Sequence, residues 1–530
     1  MGMYLNPGNS GFEMILNDEY IDKTGLIDLI NQSINTPRML TCISRPRRFG
    51  KSFAAKMLCA YYDCSCDSRP LFDDKAISKS SGYLVHLNKY HVINLDITTF
   101  ISTALIEGKA LKDIPTMIGE KILADLREAF PDIIFENDLT ESLIRCVEKT
   151  GKKFIFIIDE WDALIREAKN EEITQKRYLN VLRMWFKNNN FTPKVIAAAY
   201  MTGILPIKKD GSQSAISDFL EYSILDPGKF AEYTGFTESE VRALCAKYQM
   251  HFEEAKKWYD GYDFSEVGAI YNPYSVMQAV RNKKFGSYWQ KTSAAESLMT
   301  YVNMDFQGLQ EIITRLIAGE EVEVRTDWFE NDFESFRSKD DILTLLIHLG
   351  YLTWNQEEKV ARIPNEEVRL EFEKILAGVH VNAKWTELIR KSQNLLEKTI
   401  AGKDDEVAEA IEEVRNSQYA PTFYNDEQAL RYVIKFAYIV AVDQYMKIEE
   451  LPSGKGIADI VYLPKKKSML PALVIELKWN KTSDGAIDQI HEKNYPAVLR
   501  DFGGEIVLVG INYDQRTKQH TCKIERILRV

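Results

Sequence analysis

Two groups of residues have the types and spacing that do chemistry. The first opens with Ser44-Arg-Pro-Arg-Arg-Phe-Gly-Lys-Ser52, set between the apolar run Met39-Leu40-Thr41-Cys42-Ile43 and a helix-like stretch from Ser52 to Tyr62. Strand, loop and helix in that order is the setting a phosphate-binding loop requires. The backbone N–H groups of Arg48, Phe49 and Gly50, with the helix start, would cradle phosphate oxygens. Lys51 would reach the β- and γ-phosphates, and the Ser52 hydroxyl would ligate magnesium. The fit to G-x-x-x-x-G-K-[ST] is incomplete, because Arg45 stands where the first glycine belongs. Lys153-Phe-Ile-Phe-Ile-Ile-Asp159-Glu160 supplies what a lone Gly-Lys-Ser lacks, an apolar strand ending in two carboxylates. Asp159 suits a magnesium shell, and Glu160 suits orienting or deprotonating an attacking water. Thr202, in Ala-Tyr-Met-Thr202-Gly, either senses the γ-phosphate from a neighbouring strand tip or merely caps that strand. Arg45, Arg47 and Arg48 make the loop cationic, toward phosphate or toward carboxylates; both options stay open. The expected cofactors of this group are ATP and Mg²⁺.

The second group lies near the end of the chain. Gly456-Ile-Ala-Asp459-Ile-Val-Tyr-Leu reads as a strand with one acidic residue, followed 17 positions later by Glu476 in Ala472-Leu-Val-Ile-Glu476-Leu-Lys478-Trp. Glu476 and Lys478, two apart on a strand, share a face. A carboxylate and an ammonium on one face, beside an Asp on the paired strand, can hold Mg²⁺ or Mn²⁺ and a water for phosphodiester hydrolysis. Oxygen ligands favour these metals over zinc. Gln489, on a helix running through His491 toward Tyr495, and Glu427, near the start of an earlier helix, are further candidates, Glu427 as an added metal ligand. Ordinary surface charge on an amphipathic strand pair is the bland alternative.

The elements that must position these residues are α/β. Strand-like runs at His91–Ile97, Phe154–Ile158 and Val195–Met201 join the first strand, separated by helical stretches, which implies a parallel sheet with covering helices. From 236 to about 415 the pattern turns helical, with Trp385, Leu388, Ile389, Leu395 and Leu396 on one helical face. Within it, a helix from Asp341 to Leu349, a hairpin from Tyr351 through Lys359 to Ile363, and a helix from Glu366 follow the order of a winged-helix unit. Packing on the nucleotide region is expected of it ahead of DNA contact. Strands return at Ile457–Leu463, Leu473–Lys478 and Glu505–Ile511. The expected domains are 1–235, 236–418 and 419–530.

These motifs carry a resemblance. Arg45-Pro-Arg-Arg-Phe-Gly-Lys-Ser52, Tyr20-Ile-Asp-Lys-Thr24, Asp159-Glu160-Trp-Asp162, Met201-Thr-Gly203, Trp258-Tyr-Asp-Gly-Tyr262 and Tyr271-Asn-Pro-Tyr274 resemble the bacterial AAA-ATPase-like family. Its members commonly end in a PD-(D/E)XK nuclease domain, and the order Asp459, Glu476, Lys478, Gln489 resembles that fold over about 425–530. Trp161 stands where that family usually has Tyr, and Ile204-Leu-Pro-Ile207 is a second departure; neither touches the proposed chemistry. Trp258-Tyr-Asp-Gly-Tyr262 has no chemistry of its own and reads as core. The resemblance implies a P-loop NTPase sheet, a mostly helical middle with a candidate winged-helix unit, and a C-terminal restriction-endonuclease-like domain.

Composition sets the outer limits. The 530 residues are 45% hydrophobic and 27% charged, which excludes collagen-like and wholly disordered chains. Net charge is −11, although residues 421–530 carry 16 Lys and Arg against 14 Asp and Glu, a weak hint that a nucleic acid would sit on this less acidic part. No apolar run is long enough for a membrane span, no leader is evident, and the seven scattered Cys suit a reducing cytoplasm. Cys59, Cys64 and Cys66 cluster, but lack a fourth zinc ligand. The expectation is an ATP-hydrolysing P-loop protein coupled to a metal-dependent nuclease acting on nucleic acid, DNA first, with a homo-oligomer left open. The rival is a nucleotide-dependent switch whose nuclease fold is inactive and only binds nucleic acid.

Overall fold

The computed structural model describes residues 2–168, 171–207, 216, 218–264, 267–289, 308–327, 329, 338–377, 383–418, 430–431, 433–434, 437–438, 440–441, 445–453, 456–464, 470–492, 499 and 504–527. The chain divides into two compact units, residues 1–309 with 321–375, and residues 310–320 with 376–530.

The first unit is built on five strands: β1 (Leu40–Ser44), β2 (His91–Asp96), β3 (Phe154–Asp159), β4 (Ile196–Gly203) and β5 (Leu220–Tyr222). They pair in the order β2-β3-β4-β1-β5, all parallel. β1, β3 and β4 are buried along their whole length, as strands covered on both faces are. Alternation still decides which face each side chain serves. Phe154, Phe156 and Ile158 join one core with the 114–129 helix, whereas Ile155 and Ile157 join another with the 51–62 helix. The edge strand β5 has only three residues and no apolar pattern, so the sequence did not announce it.

Two small sheets follow. β6 (Phe236–Thr237), β7 (Tyr262–Phe264) and β8 (Gly268–Tyr271) pair in the order β6-β8-β7. The helix Phe252–Tyr259 stops before Gly261, whose φ of +110° and close approach to the Pro364 carbonyl leave no room for a side chain. β9 (Val322–Glu323), β10 (Thr353–Asn355) and β11 (Val360–Arg362) pair in the order β10-β11-β9, with the β10–β11 hairpin between helices Lys339–Leu349 and Glu366–Ala377 in the chain. Helix, hairpin and helix therefore stand as expected. Ser338 and Asp341 form a capping box at the start of the first helix, and Gly350 ends it at φ +83°. A Cβ on Gly350 would lie 2.8 Å from the Pro46 ring, so this unit packs against the loop that follows β1.

The second unit carries β12 (Tyr445–Ser453), β13 (Gly456–Pro464), β14 (Ala472–Trp479), β15 (Ile506–Asp514) and β16 (Gln519–Ile527), in that order. Only β14 and β15 run parallel; the other pairs are antiparallel. The expected boundary at 418/419 falls inside this unit. Leu395 and Leu396 of the helix Ala383–Ala401, and Val407, Ile411 and Val414 of the helix Asp404–Gln418, share one core with Ile460, Leu473 and Ile475. The apolar face was legible, but not the sheet it covers. Trp385, Leu388 and Ile389 lie outside the described side chains. Among the described residues, no helix is long and apolar enough to cross a membrane.

Candidate functional sites

In the first unit the loop after β1 turns through two left-handed residues, Arg48 at φ +70° and Gly50 at φ +84°, and Lys51 begins the helix Lys51–Tyr62. A non-glycine held at positive φ is a strained feature, and such features gather where a loop must take one shape. Lys51 is buried, and its Nζ donates to the carbonyls of Arg45 (3.0 Å) and Pro46 (2.9 Å) while standing 3.6 Å from Glu160 Oε1. The parallel sheet carries the tip of β3 to the same place. Ser52 and Thr202 both hydrogen-bond to Asp159, Thr202 donating to its Oδ1.

Burial raises the Asp159 pKa and neighbouring Glu160 adds to this, against the two hydroxyls and Lys51. Glu160 behaves in the opposite way. Burial works to raise it, but the charges of Lys51, Arg166 and Arg47 outweigh that and hold it ionised, lower than usual. Glu160 also takes a left-handed φ of +51°.

Each predicted member has a definite place. Lys51, Ser52, Glu160, Arg48, Phe49 and Gly50 line a cleft of about 730 Å³. Thr202 is fully buried and its hydroxyl donates to Asp159. Arg45 turns away from the cleft. It is wholly buried, donates to the carbonyls of Ser44 (3.0 Å) and Tyr222 (2.9 Å), and stands over the Phe264 ring. Burial lowers its pKa to about 9. Arg48 donates to the Tyr288 carbonyl at 3.2 Å and lies over Tyr274.

The cleft has walls that sequence reading did not assign. Tyr20 and Ile21 come from the N-terminal arm, Phe236 from β6, and Tyr274 and Met277 from the helix Pro273–Asn282. Asp22 shapes the arm by accepting from Thr24 N (2.9 Å) and Thr24 Oγ1 (2.6 Å). The Tyr20–Thr24 motif was visible; its place beside the loop needed the fold. Ser52 and Asp159 offer only oxygen donors, which fits magnesium.

In the second unit Asp459 lies one position beyond the Ile460–Ile475 pair of β13 and β14. Its Oδ2 accepts from Leu477 N at 2.9 Å, which sets it beside Glu476. Glu476 Oε1 accepts from Lys478 Nζ at 2.9 Å and from Gln489 Nε2. Asp459, Glu476 and Lys478 are all buried. Gln489 arrives on the helix Ser483–Glu492, which seats against Gly510 of β15, where a side chain would meet the Ser483 carbonyl. Arg431, unnoticed in the sequence, donates to Asp459 Oδ1. Glu427 lies outside the described residues. Among those described, no group of three or more His, Cys, Asp and Glu side chains is placed to hold a metal ion. Two carboxylates still suit magnesium or manganese, which commonly keep several waters beside one or two carboxylates.

Two family descriptions match these regions: residues 8–212 match the predicted AAA-ATPase family, and residues 425–522 match the PD-(D/E)XK nuclease superfamily. The chain joins an AAA-ATPase-like domain to a PD-(D/E)XK superfamily domain. An uncharacterised protein in the vnfD 5′ region of Azotobacter chroococcum mcd 1 is 20% identical over 527 residues, covering 94% of this chain and 93% of that protein. Among solved structures, the Aeropyrum pernix ORC2 protein is 11% identical, covering 68% of this chain and 96% of that one, with a TM-score of 0.28. AMPPCP-bound DnaA from Aquifex aeolicus is 9% identical, covering 63% and 80%, with a TM-score of 0.21. The AAA-ATPase-like match spans β1 to β4 and the loop between Ser44 and Ser52, and the nuclease match spans β12 to β15.

Proposed function

We propose that this protein binds and hydrolyses ATP with Mg²⁺ at its first unit and cleaves phosphodiester bonds in nucleic acid, DNA in the first place, at its second. The observation that carries the reading is the meeting of Lys51, Ser52, Asp159 and Glu160 within one hydrogen-bonded cluster at the cleft. Lys51 faces the terminal phosphates, Ser52 and Asp159 hold the magnesium shell, Thr202 keeps Asp159 in position, and Glu160 orients or deprotonates the attacking water. Bound magnesium would neutralise charge on the phosphates.

At the second site Asp459 and Glu476 hold the metal, Lys478 stands beside the attacking water, and Gln489 holds that water or the phosphate. A metal there would polarise the phosphate and lower the pKa of its water. The second reading, a switch protein whose nuclease fold only binds nucleic acid, draws support from Arg431, which already partners Asp459.

The nucleotide reading is tested by thermal unfolding and phosphate release with MgATP. Wild type is expected to be stabilised by MgATP and to release phosphate. Lys51→Ala loses both, because the cation facing the phosphates is gone. A wild-type chain unmoved by millimolar MgATP contradicts the reading.

A further inference from the structure

Arg166 belongs to no motif considered so far, yet it lines the same cleft as Lys51 and Glu160. It lies on the helix Ala163–Glu167, directly after the acidic tip of β3, and its side chain is 8% exposed. Asp162, itself buried, anchors it. Asp162 Oδ2 accepts from the backbone N–H groups of Ile204 (3.2 Å) and Leu205 (2.9 Å), and from Arg166 Nε at 3.1 Å. A guanidinium held at Nε by a fixed carboxylate has little freedom left for its outer nitrogens. Nη2 donates to Glu160 Oε2 at 2.6 Å. The other oxygen of Glu160 is the one 3.6 Å from Lys51. The carboxylate assigned to the attacking water thus sits between two cations, one from the phosphate loop and one from its own strand end.

We propose that Arg166 is the in-chain positioning cation of this site, fixing Glu160 toward the reacting phosphate without any arginine from a second copy. The inference rests on reading the site as an ATPase. Nucleotide brings negative charge to Lys51, so the pull of Lys51 on Glu160 weakens as the site fills. Arg166 then keeps the carboxylate from following Lys51 or turning to solvent. Burial opposes charge on Arg166, but Asp162 and Glu160 outweigh it and keep the guanidinium protonated. The anchor also ties this arginine to Ile204 and Leu205, just past β4 and two and three residues after Thr202, so the groups that set Asp159 and Glu160 are linked through Asp162.

The test uses the full chain. Arg166→Gln retains hydrogen-bonding reach but not charge. Its kcat for MgATP is expected to fall about 10²-fold, in the range lost with a misplaced general base, while affinity for a fluorescent ATP analogue stays within about threefold. Arg166→Lys restores charge and is expected to recover part of kcat, again with affinity unchanged. A purely structural role would instead lower the unfolding temperature and leave kcat per folded chain unaltered. If the Gln chain does not fold, Arg166→Met, uncharged and of similar reach, decides: reduced kcat at unchanged affinity supports the role, and wild-type kcat overturns it.

Mixing Arg166→Gln with Lys51→Ala chains should restore no hydrolysis, because neither chain holds both cations in one cleft. Recovery on mixing overturns the in-chain assignment, as does a Gln variant within about threefold of wild-type kcat. If the wild type itself neither binds nor hydrolyses ATP, the ATPase reading falls and takes this inference with it. An active wild type with an indifferent Arg166→Gln variant removes the inference alone.

Discussion

Tyr262 donates its hydroxyl to the carbonyl oxygen of Gly350 at 2.6 Å, and its ring meets Phe49 edge-on with centroids 5.1 Å apart. One buried tyrosine therefore touches both the phosphate loop and the start of the helix–hairpin–helix hairpin. This gives a place to a motif whose residues read only as core. Tyr262→Phe should cost about 1–2 kcal/mol through the orphaned Gly350 carbonyl, without changing ATP affinity. Tyr262→Ala should cost about 3–5 kcal/mol and also weaken ATP binding, because the brace behind Phe49 is lost. Thermal unfolding with and without MgATP separates the two.

Glu367 supplies a pH dependence. Burial, opposed by the Tyr288 N–H that donates to it at 2.6 Å, raises its pKa to about 7. A carboxyl with a raised folded pKa binds protons more readily when folded, so its contribution is present below about pH 4.5 and is lost as pH rises through about 7. The loss is on the order of 3 kcal/mol. Glu367→Gln mimics the protonated state and should remove this slope, making the variant more stable than wild type at pH 8. Unfolding scans at pH 5 and pH 8 check it; equal slopes for both chains would contradict it.

The pair of helices before the expected nuclease boundary should belong to the nuclease fold. Leu395, Leu396, Val407, Ile411 and Val414 are buried against the second sheet. Burying an aliphatic side chain is worth roughly 1.5–3 kcal/mol, so a fragment starting at 419 forfeits several kcal/mol. A fragment 383–530 is expected to unfold cooperatively at a higher temperature than 419–530. Equal melting of the two fragments would return the boundary to 418/419.

How far the sequence could be read depended on how local each signal was. Gly50-Lys51-Ser52 after an apolar run, Asp159-Glu160 at the end of another, and Glu476 with Lys478 two residues apart all announce themselves within a few positions. The parallel sheet followed from continuous apolar runs, which only strands covered on both faces sustain. Arg166 and Arg431 were silent, because an arginine near a carboxylate in sequence is commonplace and its meaning lies in what it reaches in space. The same holds for Arg45: its type suggested a grip on phosphate, yet the fold turns it inward onto backbone carbonyls. Short or weakly patterned strands such as β5, β12 and β16 depend on their partners and carry little signal of their own.

The most direct measurement is cleavage of linear, circular and single-stranded DNA by the full chain, with Mg²⁺, Mn²⁺ or EDTA, and with and without ATP. Cleavage is expected only with metal. Asp459→Ala and Glu476→Ala should each abolish it by removing a metal ligand, whereas Lys478→Ala should abolish it yet still bind Mn²⁺, since an ammonium is not a ligand. Cleavage that persists in EDTA or in Asp459→Ala, or a wild type that cuts none of these substrates, would contradict the account.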